Sequence, residues 1–368
     1  MMTQKLKRGD KVAVVSLSSG ILGEPFIKHE LDLGVKRFGD FELEPIFMNN
    51  SLSGLDNLKN NPNLRADDLK QAFSDENIKG IVSAIGGNDA YKLLPYLMED
   101  KNFIQNLSNN PKIFTGYSDT TTIHLALKKL GLNTFYGPAF ITDFAEFEDD
   151  MLPYTKQTVS YFFDAPRTYY VYPSKYWYKE RTDFSPNAVG TPREKFLEEK
   201  GFELVAGNGI VSGELYGGCL EIISTLANAQ FDGENYNAEE NSYESDCVEI
   251  LKKYPILKNP NELSNTILFL ETSDGKPTPE KYRKMIVSLI SKGYFSQIKG
   301  LLIGKPMDEA YYNEYNQILK EELSEFNFPI LANINFGHSF PRMVLPYGAI
   351  AKIDSENQSL IFESSTIE

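Results

Sequence analysis

Ser118 stands where an apolar, β-rich run, KIFTGYS, gives way without a spacer to a helical pattern, DTTTIHLALKKL. A serine there either caps the helix through its hydroxyl or is a nucleophile at a helix N-terminus, where the dipole favours developing negative charge. The stretch Gly116-Tyr117-Ser118-Asp119-Thr120 follows the nucleophile-elbow pattern G-x-S-x-G except at Thr120. A nucleophilic hydroxyl needs a base, and the chain has three histidines. His124 lies on the same predicted helix, about 9 Å up its axis and turned away from Ser118; it is expected to pack beside a sheet. His29, within KHELDL, is expected to face solvent. His338 ends the apolar run NINFG and is the base by elimination. A base histidine needs a carboxylate to fix its tautomer, and Glu271 ends the run TILFLE. Thr278 is the better cap for the helix that follows, which leaves Glu271 free for such a role. On these residues alone, cap and nucleophile both remain open for Ser118.

A second glycine site bears on the same chemistry. In AIGGNDAY, Gly86 and Gly87 follow a strand pattern and precede a helix. Their backbone amides, with that of Asp119, would form an oxyanion hole; a tight turn that only glycine tolerates explains the pair equally well. GLLIGKP is no phosphate loop, because three residues separate its glycines and Pro306 stands where Ser or Thr is required. No dinucleotide fingerprint follows KVAVVSL, so a nucleotide cofactor is disfavoured. The two cysteines, Cys219 and Cys247, have no metal-site spacing, so no metal and no disulfide framework is expected.

The elements that must position these groups alternate in type. KVAVVSL, LEPIFM, GIVSAIGG, KIFTGYS and NTFYGPAF read as strands. PFIKHELDLGVKRF, ADDLKQAF, DAYKLLPYL and DTTTIHLALKKL carry helical spacing between them. Such alternation predicts a parallel sheet covered on both faces, with ligands at the carboxyl ends of its strands. Residues 166–204 are rich in Tyr, Pro and charge without a sustained period, and hold Trp177, the single tryptophan. They are expected to form a long connecting loop. A second α/β unit, 205–368, follows an N-terminal unit at 1–165. It opens with GNGIVSGELYGG, read as a hairpin or strand pair, and closes with an antiparallel pair. Residues 230–264 read as an acidic insertion at the surface.

The charge balance is −14 over 368 residues, with 41% hydrophobic residues. A globular chain of this charge is not expected to bind nucleic acid. The N-terminal apolar core, Val12 to Leu17, is too short for a signal peptide, and no stretch approaches membrane-spanning length. A soluble, cytoplasmic protein is expected.

Taken together, SAIGGND, IFTGYSDTT, TFYGPAF, GELYGGCLE, ILFLETSD, GLLIG and NINFGHSFPRMVLPYGA resemble the LD-carboxypeptidase family of serine peptidases, and in particular its microcin C immunity branch. The resemblance implies a Rossmann- or flavodoxin-like N-terminal domain, a smaller α/β C-terminal domain, and usually a homodimer without cofactor. It implies Ser118 as nucleophile, Glu271 as acidic orienter and His338 as base, with an oxyanion hole at the backbone of Gly87 and Asp119. The substrate would be a small peptide or a peptidyl or aminoacyl nucleotide, or else a murein tetrapeptide ending in a D-amino acid. A non-catalytic binding module is the alternative of another class. Trp177 resembles the aromatic that stacks a nucleobase in the immunity branch; anchoring its own loop is the other reading. Lys276 would meet a substrate carboxylate or remain a solvated loop lysine. Cys219 stands where many family members have asparagine, and is read as a packing residue.

Overall fold

The computed structural model describes residues 1–164, 166–232 and 246–368. Five strands form a parallel sheet: β1 (Lys11–Val15), β2 (Glu44–Phe47), β3 (Ile78–Ser83), β4 (Ile113–Gly116) and β5 (Phe135–Tyr136). Their spatial order is β5-β4-β3-β1-β2. The chain therefore reverses direction across the sheet at β1 and β3, and a crevice opens at their carboxyl ends. Successive side chains of a strand face opposite layers. Ala13, Val15, Ile81 and Phe114 pack into one helical layer, while Val12, Val14, Val82 and Ile113 pack into the other. Both faces are buried, which is why these strands read as nearly continuous apolar runs.

The second sheet is mixed and contains β6 (Tyr169–Val171), β9 (Glu203–Ala206), β10 (Ile210–Cys219), β11 (Thr266–Glu271), β12 (Gly300–Gly304), β13 (Ile330–Ile334), β15 (Ile350–Asp354) and β16 (Ser359–Phe362). Strands β10 to β13 run parallel and bring their carboxyl ends to the first sheet's crevice. A short hairpin, β7 (Tyr176–Tyr178) with β8 (Lys195–Leu197), stands apart from both sheets. Strand β14 (Leu345–Pro346) leaves the second unit and pairs antiparallel with β5 of the first. One apolar core spans the junction: Tyr91, Leu94, Leu125 and Tyr136 pack with Leu215, Phe269 and Tyr347.

Three expectations are corrected. GNGIVSGELYGG is one long strand and not a hairpin, because residues 210–214 pair with β15 while 214–219 pair with β11; the strand changes partner and keeps its direction. The connection 166–204 carries strands β6 to β9. In the acidic insertion, residues 233–245 lie outside the described residues, and the stretch after them is only half surface: Glu249, Lys252, Lys253 and Glu262 are exposed, while Cys247, Leu251 and Leu263 are fully buried. The Tyr91 hydroxyl donates to Asp246 at 2.7 Å and ties this stretch to the first unit.

Candidate active site

Strand β4 ends at Gly116, and a helix begins at Thr120. Between them Ser118 holds φ = 64°, a left-handed conformation that costs a residue with a side chain of order 1–3 kcal/mol. No side chain caps the helix. The Ser118 hydroxyl instead lies 3.0 Å from Nε2 of His338, which removes the capping reading. The strained turn lifts the hydroxyl off the helix end and aims it across the crevice.

His338 sits beyond β13, in a loop that passes the end of β11. Its Nδ1 is 2.9 Å and 3.2 Å from the two Glu271 oxygens, and its backbone N–H donates to the same carboxylate at 3.1 Å. With Nδ1–H donated to Glu271, Nε2 carries the lone pair that faces Ser118. The Tyr136 hydroxyl donates to Glu271 at 2.5 Å and accepts from the Ser118 amide at 3.2 Å. A carboxylate only 2% exposed thus has its acceptor sites filled by fixed donors. Burial alone would lower the basicity of His338; the charge and hydrogen bond of Glu271, with the charge of Asp274, together outweigh it and hold the imidazole above its ordinary value of 6.5. A hydroxyl, an imidazole and a carboxylate chained this way can move a proton off oxygen and stabilise the cation that results.

Two glycines make the approach sterically feasible. A Cβ on Gly86 would sit 2.7 Å from Cβ and 2.8 Å from Oγ of Ser118. A Cβ on Gly337, at φ = 80°, would lie 2.3 Å from the Glu271 carboxylate. The Gly86-Gly87 turn is fixed from behind: Asp119 accepts from the Ser18 hydroxyl at 2.6 Å and the Ala90 amide at 2.9 Å, and Asp89 pairs with the buried Arg65 at 2.5 Å. The loops after β1, β3 and β4 are therefore lashed together. That brings the backbone of Gly87 and Asp119 to the nucleophile's side of the crevice.

Ser118 and His338 open into a cavity of about 520 Å³. Its reactive end is walled by Tyr117, Glu180, Asp274 and Phe340. Arg342, wholly buried, lies 4.1 Å over the Tyr117 ring and pairs with Asp143 at 3.0 Å, bracing the ring whose neighbour is the His338 imidazole. Burial raises the Glu180 carboxyl, against the lowering fields of Arg193 and Arg342. Glu146, buried, pairs with Arg193 at 2.7 Å and with Arg181 at 3.1 Å. Arg181 lies 5.4 Å over the Phe147 ring, and Phe147 contacts Phe184, so the far end of the cavity is aromatic.

Trp177 and Lys276 are not brought to this cavity. Tyr178 packs inward on Phe340, and strand alternation turns Trp177 the other way. Its indole stacks on Phe196 at 4.5 Å, with Lys305 5.3 Å from the ring. Lys276 is paired with Asp308 at 2.6 Å. His29 is not solvent-facing: Nε2 meets the Phe184 carbonyl at 3.0 Å and its ring lies edge-on to Phe147. His124 is buried beside the sheet as expected, between Thr134 and the Gly116 carbonyl, and burial lowers its pKa to about 3. Cys219 lies within 4.8 Å of the Glu271 and His338 ligand atoms, but burial holds its thiol well above the ordinary value, so it packs as a neutral group. Tyr136 and Arg342 lie within the motifs TFYGPAF and SFPRM, whose residue types alone give them no role; Phe147 and Phe184 carry no local signal.

A two-unit α/β protein with a strained serine at a strand–helix turn, backed by histidine and glutamate from a second sheet, has the architecture of a serine hydrolase. Residues 12–137 match the LD-carboxypeptidase N-terminal domain and residues 212–353 the LD-carboxypeptidase C-terminal domain, so the chain belongs to this family of serine peptidases. It is 28% identical to the putative carboxypeptidase YocD of Bacillus subtilis over 96% of each chain. It is 25% identical to the microcin C7 self-immunity protein MccF of Escherichia coli, over 80% of this chain and 76% of that one. An MccF-like protein from Streptococcus pneumoniae, solved in complex with AMP, superposes with a TM-score of 0.88 at 42% identity, over 96% of this chain and 99% of that one. MccF structures with aspartyl sulfamoyl adenosine and with glutamyl sulfamoyl guanosine share the fold, at TM-scores of 0.79 and 0.77 and 22% identity. Among the described residues no helix is long and apolar enough to cross a membrane.

Proposed function

We propose that the protein hydrolyses the amide bond of an aminoacyl or peptidyl nucleotide by a serine mechanism. Ser118 Oγ attacks the carbonyl carbon while its proton passes to His338 Nε2, and Glu271 steadies the imidazolium. The backbone amides of Gly87 and Asp119 receive the oxyanion. His338 then returns the proton to the leaving nitrogen as the C–N bond breaks. A water, deprotonated by the same imidazole, hydrolyses the acyl-serine and frees the acid.

The observation that carries the substrate class is the cavity's division into two ends. Near Ser118, Glu180 and Asp274 offer carboxylates to the ammonium of an aminoacyl group. At the other end, Phe147 and Phe184 with the Arg181 guanidinium offer flat faces to a base. In this reading the base stacks on Phe147 and Phe184, which line the cavity, and not on Trp177, which does not. The protein is further read as a cytoplasmic homodimer, with no nucleic-acid partner at a net charge of −14.

Incubation with aspartyl sulfamoyl adenosine and, separately, with a murein tetrapeptide, followed by mass spectrometry, tests the reading. Release of aspartate and the sulfamoyl nucleoside is the expected outcome. Trimming of the tetrapeptide alone would overturn it in favour of the murein substrate.

A further inference from the structure

Glu30 lines the aromatic end of the cavity and is 3% exposed. Among the described residues its carboxylate has no hydrogen-bond donor; the nearest ionic neighbour is His29 Nε2, at 4.0 Å. The cations nearby are committed elsewhere. Arg181 bonds Glu146 and Thr191, and His29 bonds the Phe184 carbonyl. Its oxygens face the cavity and not a protein donor, so their acceptor sites are open to whatever occupies it. Glu30 contrasts with Glu146 and Glu271, which are equally buried and fully partnered. It reaches the cavity from the first turn of the helix Lys28–Asp40, beside Ile27, so the rings of Phe147 and Phe184 have a polar stop on one side.

We propose that Glu30 is a specificity residue, accepting a hydrogen bond from an exocyclic amino group on the flat ring lodged among those phenylalanines. A carboxylate reading the amino edge of a base is established recognition chemistry. The adenosine and guanosine ligands of the MccF structures both carry such a group. Burial pushes the Glu30 carboxyl up to about 7, consistent with a site completed only when a donor arrives. The proposal rests on the nucleotide reading above and adds to it which bases are accepted.

The test compares kcat/KM for aspartyl sulfamoyl adenosine with that for its counterpart built on unsubstituted purine, which lacks the 6-amino group and is otherwise the same shape. Wild type should prefer the amino compound roughly tenfold or more, the size of a lost hydrogen bond to a charged group. Glu30→Leu should erase that preference, chiefly through KM, and Glu30→Gln, whose amide oxygen still accepts, should restore part of it. Circular dichroism and thermal melting show whether each variant is folded, and the wild-type ratio needs no variant. Equal rates on both compounds in wild type, or an unchanged ratio in a folded Glu30→Leu, overturn the proposal while the nucleotide reading stands. Cleavage of neither compound overturns both.

Discussion

The two ends of the cavity are built differently. At the reactive end, side chains from both sheets are held by interlocking bonds: Ser118 to His338, His338 to Glu271, Glu271 to Tyr136, and Tyr136 back to the Ser118 amide. At the aromatic end, rings meet rings with Arg181 and His29 as the polar ties, Phe26 is 60% exposed, Phe184 is 49% exposed, and the walls come from loops and one helix turn. Preorganised hydrogen bonds act where charge develops and cannot be improvised during the reaction. Apolar ring contacts tolerate repacking. The molecule locks its reactive end with hydrogen bonds and leaves more of the aromatic end to packing.

That contrast can be broken at its strong side first. Ser118→Ala should abolish turnover, with a loss on the order of 10⁴-fold or more in kcat and binding largely kept, as stopped-flow or calorimetry would show. Glu271→Gln should cost nearly as much, roughly 10⁴-fold, and it also moves a pH limb. His338 must be neutral to accept a proton, so wild-type kcat/KM should rise with pH through a value above 6.5, where Glu271 and Asp274 hold the imidazole against its burial. Without the carboxylate, burial lowers the imidazole and the residual activity should rise at lower pH. A limb at the same pH in both proteins would show that Glu271 does not set it. Tyr136→Phe removes one donor to a buried carboxylate and should lower kcat by roughly tenfold, the scale of a hydrogen bond to a charged group. The smallest effect belongs to the weak side. Phe147→Ala should raise KM for a nucleoside substrate several-fold, in line with about 1 kcal/mol for a lost aromatic contact, and leave kcat almost unchanged. A fall in kcat matching that of Tyr136→Phe would erase the distinction between the ends.

Legibility followed the same division. Ser118, Glu271 and His338 each close an apolar run, and strand ends are visible locally because hydrophobic period and turn chemistry change together. The parallel sheet was legible because both faces of β1, β3 and β4 are buried, leaving continuous runs. GNGIVSGELYGG misled because its glycines resemble a turn, whereas the strand exchanges partners across the sheet, which no local pattern records. The aromatic wall was illegible for the same reason. Trp177 and Phe184 lie in one loop of similar composition, and only the docking of Tyr178 on Phe340 decides which ring meets the cavity. Glu30 is one polar residue of the helix Lys28–Asp40, and its burial depends on loops far away in sequence. His29 is covered by the same distant loops, through Phe147 and Phe184.

Strand β14 has a consequence for any attempt to take the protein apart. The segment that follows His338 returns to close the outer flank of the nucleophile's own sheet, Leu345 opposite Tyr136 and Pro346 opposite Phe135. A fragment cut between the two family domains would carry β5 with a bare row of backbone donors and acceptors, an invitation to pair with another chain. It would also lose its neighbour on the very strand that supplies Tyr136. The halves are therefore one cooperative object, and duplication, swapping or split expression of either must bring those two residues along.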